Sequence, residues 1–270
     1  MSYLCRSAFE DGPMIKKREK TKYTIRSVSR AIDLLEQFLG DDVEIGLTDL
    51  SRRLKLPKNN IFRLLATLQL RNYVEQNTAN EKYHLGFKTV ELGQMVTRQL
   101  GGFNNSRTVM ERLVKDCNET VVVSVLKDYS IVNLDVVECD HHLRVRPRIG
   151  VQLPAYCTAA GKSQIAHFAE EKLRPYACDY HFHKYTPHTI TDPKQWKTQL
   201  QQVASQGWAI ENEELDLGVR CIGAPIRDFS SRIIGAVTLL GPSQRFNDER
   251  IDSELIPLLM KGAADISCAF

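Results

Sequence analysis

Several features that mark whole classes of protein are missing from this chain of 270 residues. It has no run of about 18 apolar residues, so we expect no membrane-spanning helix. Its first twenty residues lack the apolar segment of a secretory signal. The seven cysteines are scattered and form no C-x-x-C pair, which favours reduced thiols over a disulfide framework. The sequence therefore predicts a cytoplasmic protein.

Acidic residues are absent from one stretch, Ser51 to Arg71, which holds six basic residues. The net charge of the chain is only +3, so its total charge does not indicate nucleic acid. The distribution is uneven, because residues 1–97 hold 16 Lys and Arg against 12 Asp and Glu, whereas the remainder holds 20 against 21. Clustered cations are typical of phosphate binding, although an isolated basic run is more often a solvated face.

Apolar spacing predicts three helices around this stretch. The first begins at Ser27 and ends near Gly40, and the second is capped by Thr48. The third starts at Pro57, where a missing N–H costs nothing. Its predicted buried side holds Ile61, Leu64, Leu65 and Leu68, and its other side holds Asn59, Asn60, Arg63 and Thr67. Two helices joined by a tight turn form a helix-turn-helix.

A hairpin predicted directly after the third helix makes this motif a winged one. Its strands are Tyr73–Glu75 and Lys82–Leu85, with polar Asn77–Asn80 between them. In the major groove, Asn can pair with adenine and Arg with guanine, while a lysine at a helix start suits a phosphate. The predicted DNA-binding residues are Arg52, Lys58, Asn59, Asn60, Arg63, Thr67 and Lys82. A plain packing unit of two helices is the alternative.

The second half of the chain has the pattern of an antiparallel sheet flanked by helices. Runs of β-branched residues predict strands, and Leu143–Ile149, which alternates apolar and basic residues, is predicted to be one of them. Small residues Ala159–Gly161 open a predicted helix, but a phosphate-binding P-loop is rejected because Tyr156 stands where glycine is required. The small residues serve either a ligand or a close helix–sheet contact, and spacing alone does not decide between them.

The sequence resembles the IclR family of bacterial transcriptional regulators over about residues 25 to 268. The resemblance lies in SVSRAIDLLEQF, LTDLSRRLKLPKNNIFRLLATLQLRNYV, EKYHLGFKTVELG, LPAYCTAAGKSQIA, NEELDLGVRCIGAPI and GAVTLLGP. It implies an α+β chain with an N-terminal winged helix-turn-helix, a linker helix, and a C-terminal GAF-like antiparallel sheet with flanking helices. The expected boundaries are a flexible basic tail at 1–23, the DNA-binding domain at 24–86, the linker at 87–102 and the effector domain at 103–270.

The resemblance also implies a function and a set of effector-binding residues. We expect a ligand-responsive repressor of catabolic genes, acting as a homodimer or dimer of dimers on a palindromic operator in double-stranded DNA. Its effector would be a small organic acid such as a sugar acid or an aromatic carboxylate, and no cofactor is implied. The expected effector-binding residues are Leu153, Ala155, Cys157, Ala159, Ala160, Glu211, Leu217, Val219, Cys221 and Thr238.

Two departures from the family pattern lie in the helix-turn-helix. Asn59-Asn60 stands where the family often has Ser-Thr, at the start of the predicted recognition helix. Lys55 stands where the family often has glycine, so a residue with a Cβ atom has to make the turn, at a modest cost in strain. We expect the first departure to alter the preferred operator sequence.

Other classes of function compete with this interpretation. An enzyme would use Cys157 or Cys221 as a nucleophile, but no local motif supports this. Zinc could bind one of two clusters, formed by Cys139, His141 and His142 and by Cys178, His181, His183 and His188. Neither spacing matches a standard motif, so we expect no metal and no catalytic residue. A partner-binding adaptor would differ from a DNA-binding protein in its insensitivity to salt.

Overall fold

The fold comes from a computed structural model that describes residues 24–40, 42–99, 103, 106–178 and 182–270. The predicted basic tail at 1–23, Gly101-Gly102 and His181 lie outside the described residues. The chain divides into two compact units, with the division between Leu100 and Gly101. No helix among the described residues is long and apolar enough to cross a membrane.

The described part of the N-terminal unit contains four α-helices and a two-stranded hairpin. The elements are α1 (Arg26–Glu36), α2 (Leu47–Leu54), α3 (Lys58–Leu70), β1 (Val74–Gln76), β2 (Tyr83–Leu85) and α4 (Lys88–Gln99). One apolar cluster holds the first three helices and the hairpin together: Leu34, Phe38, Ile45, Leu50, Ile61, Leu65, Val74 and Tyr83. The predicted stripe of α3 is confirmed, because Ile61 and Leu65 are buried and Leu64 and Leu68 pack around them.

The boundaries of these helices differ from the sequence prediction in small ways. Gly46, and not Thr48, occupies the N-cap of α2, and Pro57 lies one residue before α3 instead of within its first turn. The first helix ends at Glu36 in a short 3₁₀ segment, and Gly40 after it has an ordinary negative φ. Helix ends are the least determined part of a periodic pattern, because capping residues carry no apolar signal.

Lys55 makes the turn between α2 and α3 in the left-handed conformation, with φ 52° and ψ 40°. This confirms the strain expected for a residue with a Cβ atom at that position. The backbone N–H groups of Lys55 and Leu56 donate to the carbonyl groups of Arg52 and Ser51, so the orphaned carbonyl groups at the end of α2 are satisfied. The turn is therefore tight and well bonded despite the unfavourable residue.

The hairpin after α3 confirms the predicted wing. Strands β1 and β2 pair antiparallel, and Ile45 extends the pairing through two backbone hydrogen bonds with Tyr83. Glu44 holds the loop of the hairpin, since its two carboxylate oxygens accept from the side-chain amides of Asn77 at 2.8 Å and Asn80 at 2.7 Å. These hydrogen bonds, that of Asn77 first, lower the pKa of Glu44.

The C-terminal unit is built on one six-stranded sheet, in which every pairing is antiparallel. Its strands are β3 (Thr120–Lys127), β4 (Ser130–Val137), β5 (Gln152–Pro154), β6 (Ala209–Asn212), β7 (Val219–Arg227) and β8 (Ile233–Pro242). The order across the sheet is β5-β4-β3-β8-β7-β6. The two long hairpins β3–β4 and β7–β8 therefore meet at the centre, where β3 pairs with β8.

Helices cover both faces of this sheet. They are α5 (Ser106–Cys117), α6 (Ala159–Ile165), α7 (Glu170–Cys178), α8 (Pro193–Gln206), α9 (Asp248–Arg250) and α10 (Ile256–Ser267). Helices α5 and α10 contact one face, and α6, with α8 behind it, contacts the other. An aromatic layer lies behind α6, where the indole of Trp196 donates to the carbonyl of Tyr156 at 3.0 Å.

One predicted strand is wrong. Residues 143–149 form an irregular loop, although their apolar and basic residues alternate. Arg144 and Arg146 both point to Glu138, at 2.7 and 3.5 Å, and Pro147 has no N–H to give to a neighbouring strand. The alternation therefore reflects ion pairing and partial burial and not a sheet. Asn133 on β4 holds the end of the loop by donating to the carbonyl of Arg148 at 3.2 Å.

We predict that Lys55→Gly stabilises the chain, because glycine adopts the left-handed conformation without the steric cost that a Cβ atom brings. The free energy of unfolding in urea should rise by about 1 kcal/mol. Lys58→Gly is the matched control: it removes the same side chain from the first turn of α3 and should lower stability. Equal effects of the two substitutions would contradict the strain at Lys55.

Candidate functional site

The seven predicted DNA-binding residues are all exposed on the N-terminal unit. Lys58, Asn59, Asn60, Arg63 and Thr67 project from α3, Arg52 from α2 and Lys82 from the wing. The outward side of α3 thus combines amides with a guanidinium group, as base-edge contacts require. Pro57 precedes α3, and the N–H groups of its first turn are the part of a helix that suits a phosphate.

Local hydrogen bonds divide these residues into two groups. Arg52 pairs with Asp49 at 2.7 Å, the hydroxyl of Thr67 donates to the carbonyl of Arg63, and in the wing the amide of Asn80 donates to Glu44. Within the described part of the chain, neither Lys58 nor Arg63 has an ion-pair partner. The side chains that remain available to DNA are therefore concentrated at the start of α3.

A cavity with a volume of about 60 Å³ lies in the C-terminal unit between the sheet and α6. Its lining consists of Val122, Ser124, Ile131, Asn133, Pro147, Leu153, Thr158, Ala159, Ala160, Glu211, Cys221, Thr238 and Leu240. All six sheet strands contribute to one wall or edge through these residues, and Pro147 contributes from the loop before β5. A mostly apolar lining with a few polar groups is the usual composition of a small-molecule site.

Six of the ten predicted effector-binding residues line this cavity: Leu153, Ala159, Ala160, Glu211, Cys221 and Thr238. The structure does not bring the other four to its wall. Ala155 and Cys157 are buried in the core behind α6, Val219 packs beside the cavity wall, and Leu217 is 62% exposed. The family resemblance implied these four together with the six that line the cavity.

The small residues at the start of α6 serve both purposes that the sequence left open. A Cβ atom on Gly161 would lie 2.1 Å from the carbonyl oxygen of Ala155, so this glycine permits a close backbone contact. Ala159 and Ala160 instead line the cavity. The hydroxyl of Thr158 caps the helix by accepting from the N–H of Gly161 at 3.3 Å.

Two polar features of the cavity wall escaped the sequence analysis or were only partly seen. Ser124 on β3 donates to the side chain of Asn133 on β4 at 3.0 Å, and both are buried. In the sequence, each of these two residues is a polar residue within an otherwise apolar strand, and this pattern could have indicated a place in the cavity wall. Thr238 is 7% exposed, and its hydroxyl oxygen has no hydrogen-bond partner among the described residues. Such a buried hydroxyl can accept a ligand without breaking an existing bond.

A buried ion pair lies behind the acidic residue of the cavity. Lys162 on α6 bonds to Glu214 at 2.5 Å, with side-chain exposures of 0% and 4%. Glu211, which lines the cavity, accepts hydrogen bonds from the thiol of Cys221 and the backbone of Ala159. Burial raises the pKa of Glu211 to about 7, while the nearby Lys162 acts in the opposite direction.

Neither competing interpretation gains support from the geometry. Burial raises the pKa of the thiols of Cys157 and Cys221 well above 9, so they stay protonated and weakly nucleophilic at neutral pH. Among the described residues, no three His, Cys, Asp or Glu side chains are arranged to hold a metal ion. Cys139, from one of the two clusters, is buried and lies 3.6 Å from the hydroxyl of Thr120.

A winged helix-turn-helix on the same chain as a mostly apolar cavity with a few polar groups defines a ligand-responsive, DNA-binding regulator. Residues 27–78 match the IclR helix-turn-helix domain, and residues 94–268 match the bacterial transcriptional regulator IclR C-terminal domain. The HTH-type transcriptional regulator XynR of Escherichia coli is 32% identical over 227 residues, which cover 84% of this chain and 90% of XynR. The chain belongs to the IclR family of bacterial transcriptional regulators.

Two further comparisons extend this result. The transcriptional repressor IclR of Escherichia coli is 28% identical over 248 residues, covering 91% of this chain and 90% of that protein. The crystal structure of an IclR homologue from Microbacterium hydrocarbonoxydans, complexed with 4-hydroxybenzoate, matches with a TM-score of 0.74 and 22% identity. It covers 90% of this chain and 98% of that chain, and shows a shared fold. The expected family and α+β fold class are confirmed.

We predict that Lys162→Met lowers the free energy of unfolding by about 3–5 kcal/mol, because it leaves the carboxylate of Glu214 buried without its cation. Urea unfolding of the full chain measures this loss. Arg52→Ala is the control, since it breaks an exposed ion pair and should cost less than about 1 kcal/mol. Adding Glu214→Leu to Lys162→Met should recover most of the loss, and a double variant as unstable as the single one would refute this explanation.

Proposed function

We propose that the chain is a cytoplasmic repressor of catabolic genes whose binding to DNA is relieved by a small organic acid, and that it acts without chemical turnover. The observation that carries the proposal is the occurrence, on one chain, of an exposed basic recognition helix and a buried cavity with an unpartnered hydroxyl. The named repressor among its relatives supports the sign of regulation. We assign residues 24–86 to DNA binding, 87–102 to the linker and 103–270 to effector binding.

In the proposed complex, α3 enters the major groove of double-stranded DNA. Asn59, Asn60 and Arg63 face base edges, and Lys58 lies on a phosphate beside the first turn of the helix. In the wing, Lys82 and not Asn80 extends toward the backbone of the DNA, because Glu44 already holds the amide of Asn80. Arg52 and Thr67 have local partners and contribute less to affinity.

The proposed effector-binding residues are the polar and apolar groups that line the cavity. The hydroxyl of Thr238 and the carboxyl group of Glu211 would bind the polar end of the acid, and Leu153, Ala160 and Cys221 would contact its carbon atoms. We keep Ala155, Cys157 and Val219 as proposed contributors through the packing of the wall, and the exposed Leu217 as a proposed effector-binding residue. The complex of the Microbacterium homologue with 4-hydroxybenzoate supports an aromatic acid as a probe, and a sugar acid is the second probe.

We propose a homodimer or dimer of dimers on a palindromic operator. Exposed apolar side chains on α1 and α4 support this, since such faces are unusual in a monomer. They are Val28 and Ile32 on α1, and Val90, Leu92, Met95 and Val96 on α4, all about half exposed. An effector with different affinities for two arrangements of the dimer would shift the population toward the arrangement that it prefers.

We predict that Arg63→Ala weakens operator binding by about 1–3 kcal/mol and leaves the fold intact, because Arg63 is exposed and pairs with no described acid. The measurement is a fluorescence-anisotropy titration with an operator selected from random DNA by the wild-type chain. Run to saturation, the same titration counts chains per operator, and two or four are expected.

The control for this prediction is Arg112→Ala, which removes an exposed arginine from the C-terminal unit. Its affinity for the operator should stay at the wild-type value. Wild-type binding should also fall steeply as salt rises, because cations on the protein displace counterions from the DNA. An unchanged affinity after Arg63→Ala, or salt-insensitive binding, would reject the assignment.

We predict that Thr238→Val weakens binding of an acid effector about tenfold without loss of stability, since its hydroxyl makes no protein hydrogen bond that the substitution could break. A thermal-shift screen of aromatic and sugar acids identifies the effector, and calorimetry measures its affinity. Thr158→Val is the matched control: its hydroxyl caps α6, so stability should fall by about 1 kcal/mol. Unchanged effector affinity in Thr238→Val would remove Thr238 from the site.

A further inference from the structure

Two carboxylates and one ammonium group are buried together beside the cavity. The ammonium group of Lys162 is 2.5 Å from the carboxylate of Glu214, and both side chains are almost fully buried. Glu211 is 4% exposed and lines the cavity. Because the one cation is already bonded to Glu214, the charge of an ionised Glu211 is left poorly compensated in a region of low dielectric.

The groups that face Glu211 from the neighbouring elements do not supply the missing charge. From β7 comes the thiol of Cys221, and from the segment before α6 comes that of Cys157; burial raises the pKa of both, so they are neutral. From β3, β4 and β8 come the uncharged side chains of Ser124, Asn133 and Thr238. The loop before β5 carries Arg144 and Arg146, which both pair with Glu138, and Arg148, which is exposed.

The proton affinity of Glu211 follows from this environment. Burial raises the pKa of Glu211 to about 7, and Glu214 pushes it in the same direction, against the opposing effect of Lys162. A carboxylate effector placed in the cavity adds a further negative charge, which favours the protonated form still more. A neutral carboxylic acid, unlike a carboxylate, has a hydrogen to donate.

Resting on the function proposed above, in which the cavity takes a small organic acid, we propose that Glu211 is the neutral acid in the effector complex and donates its hydrogen to the carboxylate of the effector. The free protein takes this proton from solvent and returns it when the effector leaves, and no covalent bond changes. Thr238 supplies a second donor from β8. The effector is thus bound together with a proton, and high pH favours the ligand-free, DNA-binding state.

The first measurement needs no ligand. Since the pKa of Glu211 is higher in the folded chain than in the unfolded chain, the folded state holds an extra proton between about pH 4.5 and 7 and loses stability as pH rises through that range. The urea midpoint of Glu211→Gln should therefore rise relative to that of the wild type as the pH is raised from 5 to 8. Glu249→Gln, at an exposed carboxylate, is the control and should show no such gain.

The second measurement uses calorimetric titration of the full chain with 4-hydroxybenzoate and with D-gluconate. Wild-type affinity should fall about tenfold per pH unit above pH 7, because one proton is bound with the acid. In Glu211→Gln, whose amide also donates a hydrogen bond, affinity should be similar to that of the wild type at pH 6 and constant up to pH 8.5. Glu211→Leu, which has no donor, should bind weakly at every pH.

The outcomes separate this inference from the function on which it rests. Acid binding with the same pH dependence in the wild type and Glu211→Gln, or a midpoint difference that does not change with pH, would overturn the role of Glu211 and leave the acid effector in place. Binding of neither acid at any pH would overturn the acid effector, and this inference with it, even where the urea midpoints behave as expected.

Discussion

The buried ion pair of Lys162 and Glu214 is the interaction on which the C-terminal unit depends. Removing both charges from water is costly, and their attraction offsets that cost only when the surroundings hold the geometry. The hydroxyls of Thr186 and Thr189 do so by donating to the carbonyl groups of Glu213 and Glu214, at 2.6 Å each. The pair joins α6, which bounds the cavity, to the loop that follows β6. The chemistry of Glu211 follows, because its neighbouring cation is already bonded.

The N-terminal unit differs from the C-terminal unit. Local hydrogen bonds fix its polar loops, and the side of α3 that is proposed to contact DNA stays exposed. Glu44 holds the wing through two amides, and the left-handed Lys55 sets the path from α2 into α3. In both places, polar groups near the proposed DNA-binding surface stabilise the loops. Lys58 and Arg63 remain, and their exposure fits side chains that exchange water for phosphate and base edges.

Most of the fold could be predicted from the sequence, because long apolar periods determine helices and β-branched runs determine strands. The strand predicted around Arg144 and Arg146 was wrong, because an alternation of apolar and basic residues is ambiguous when a single acid, Glu138, can pair with both basic residues. The cavity was harder to predict. Residues from six strands meet there, and only the register of the sheet places Thr238 beside Val122. A residue such as Cys157 follows the expected motif and yet turns into the core.

In the proposed site, the hydroxyl of Thr238 would connect the stability of the C-terminal unit with its response to an effector. A buried polar group without a protein partner costs roughly 1–3 kcal/mol, and a ligand that bonds to it recovers that free energy on binding. An effector shifts a regulator between states only by the difference in its affinity for them. The cavity wall has an unpaired hydroxyl beside a carboxyl group that can change its protonation state. Both groups can therefore contribute to a difference in effector affinity between the two states of the regulator. The polar groups that lower the stability of the C-terminal unit are therefore also the groups that can make its response to an acid large.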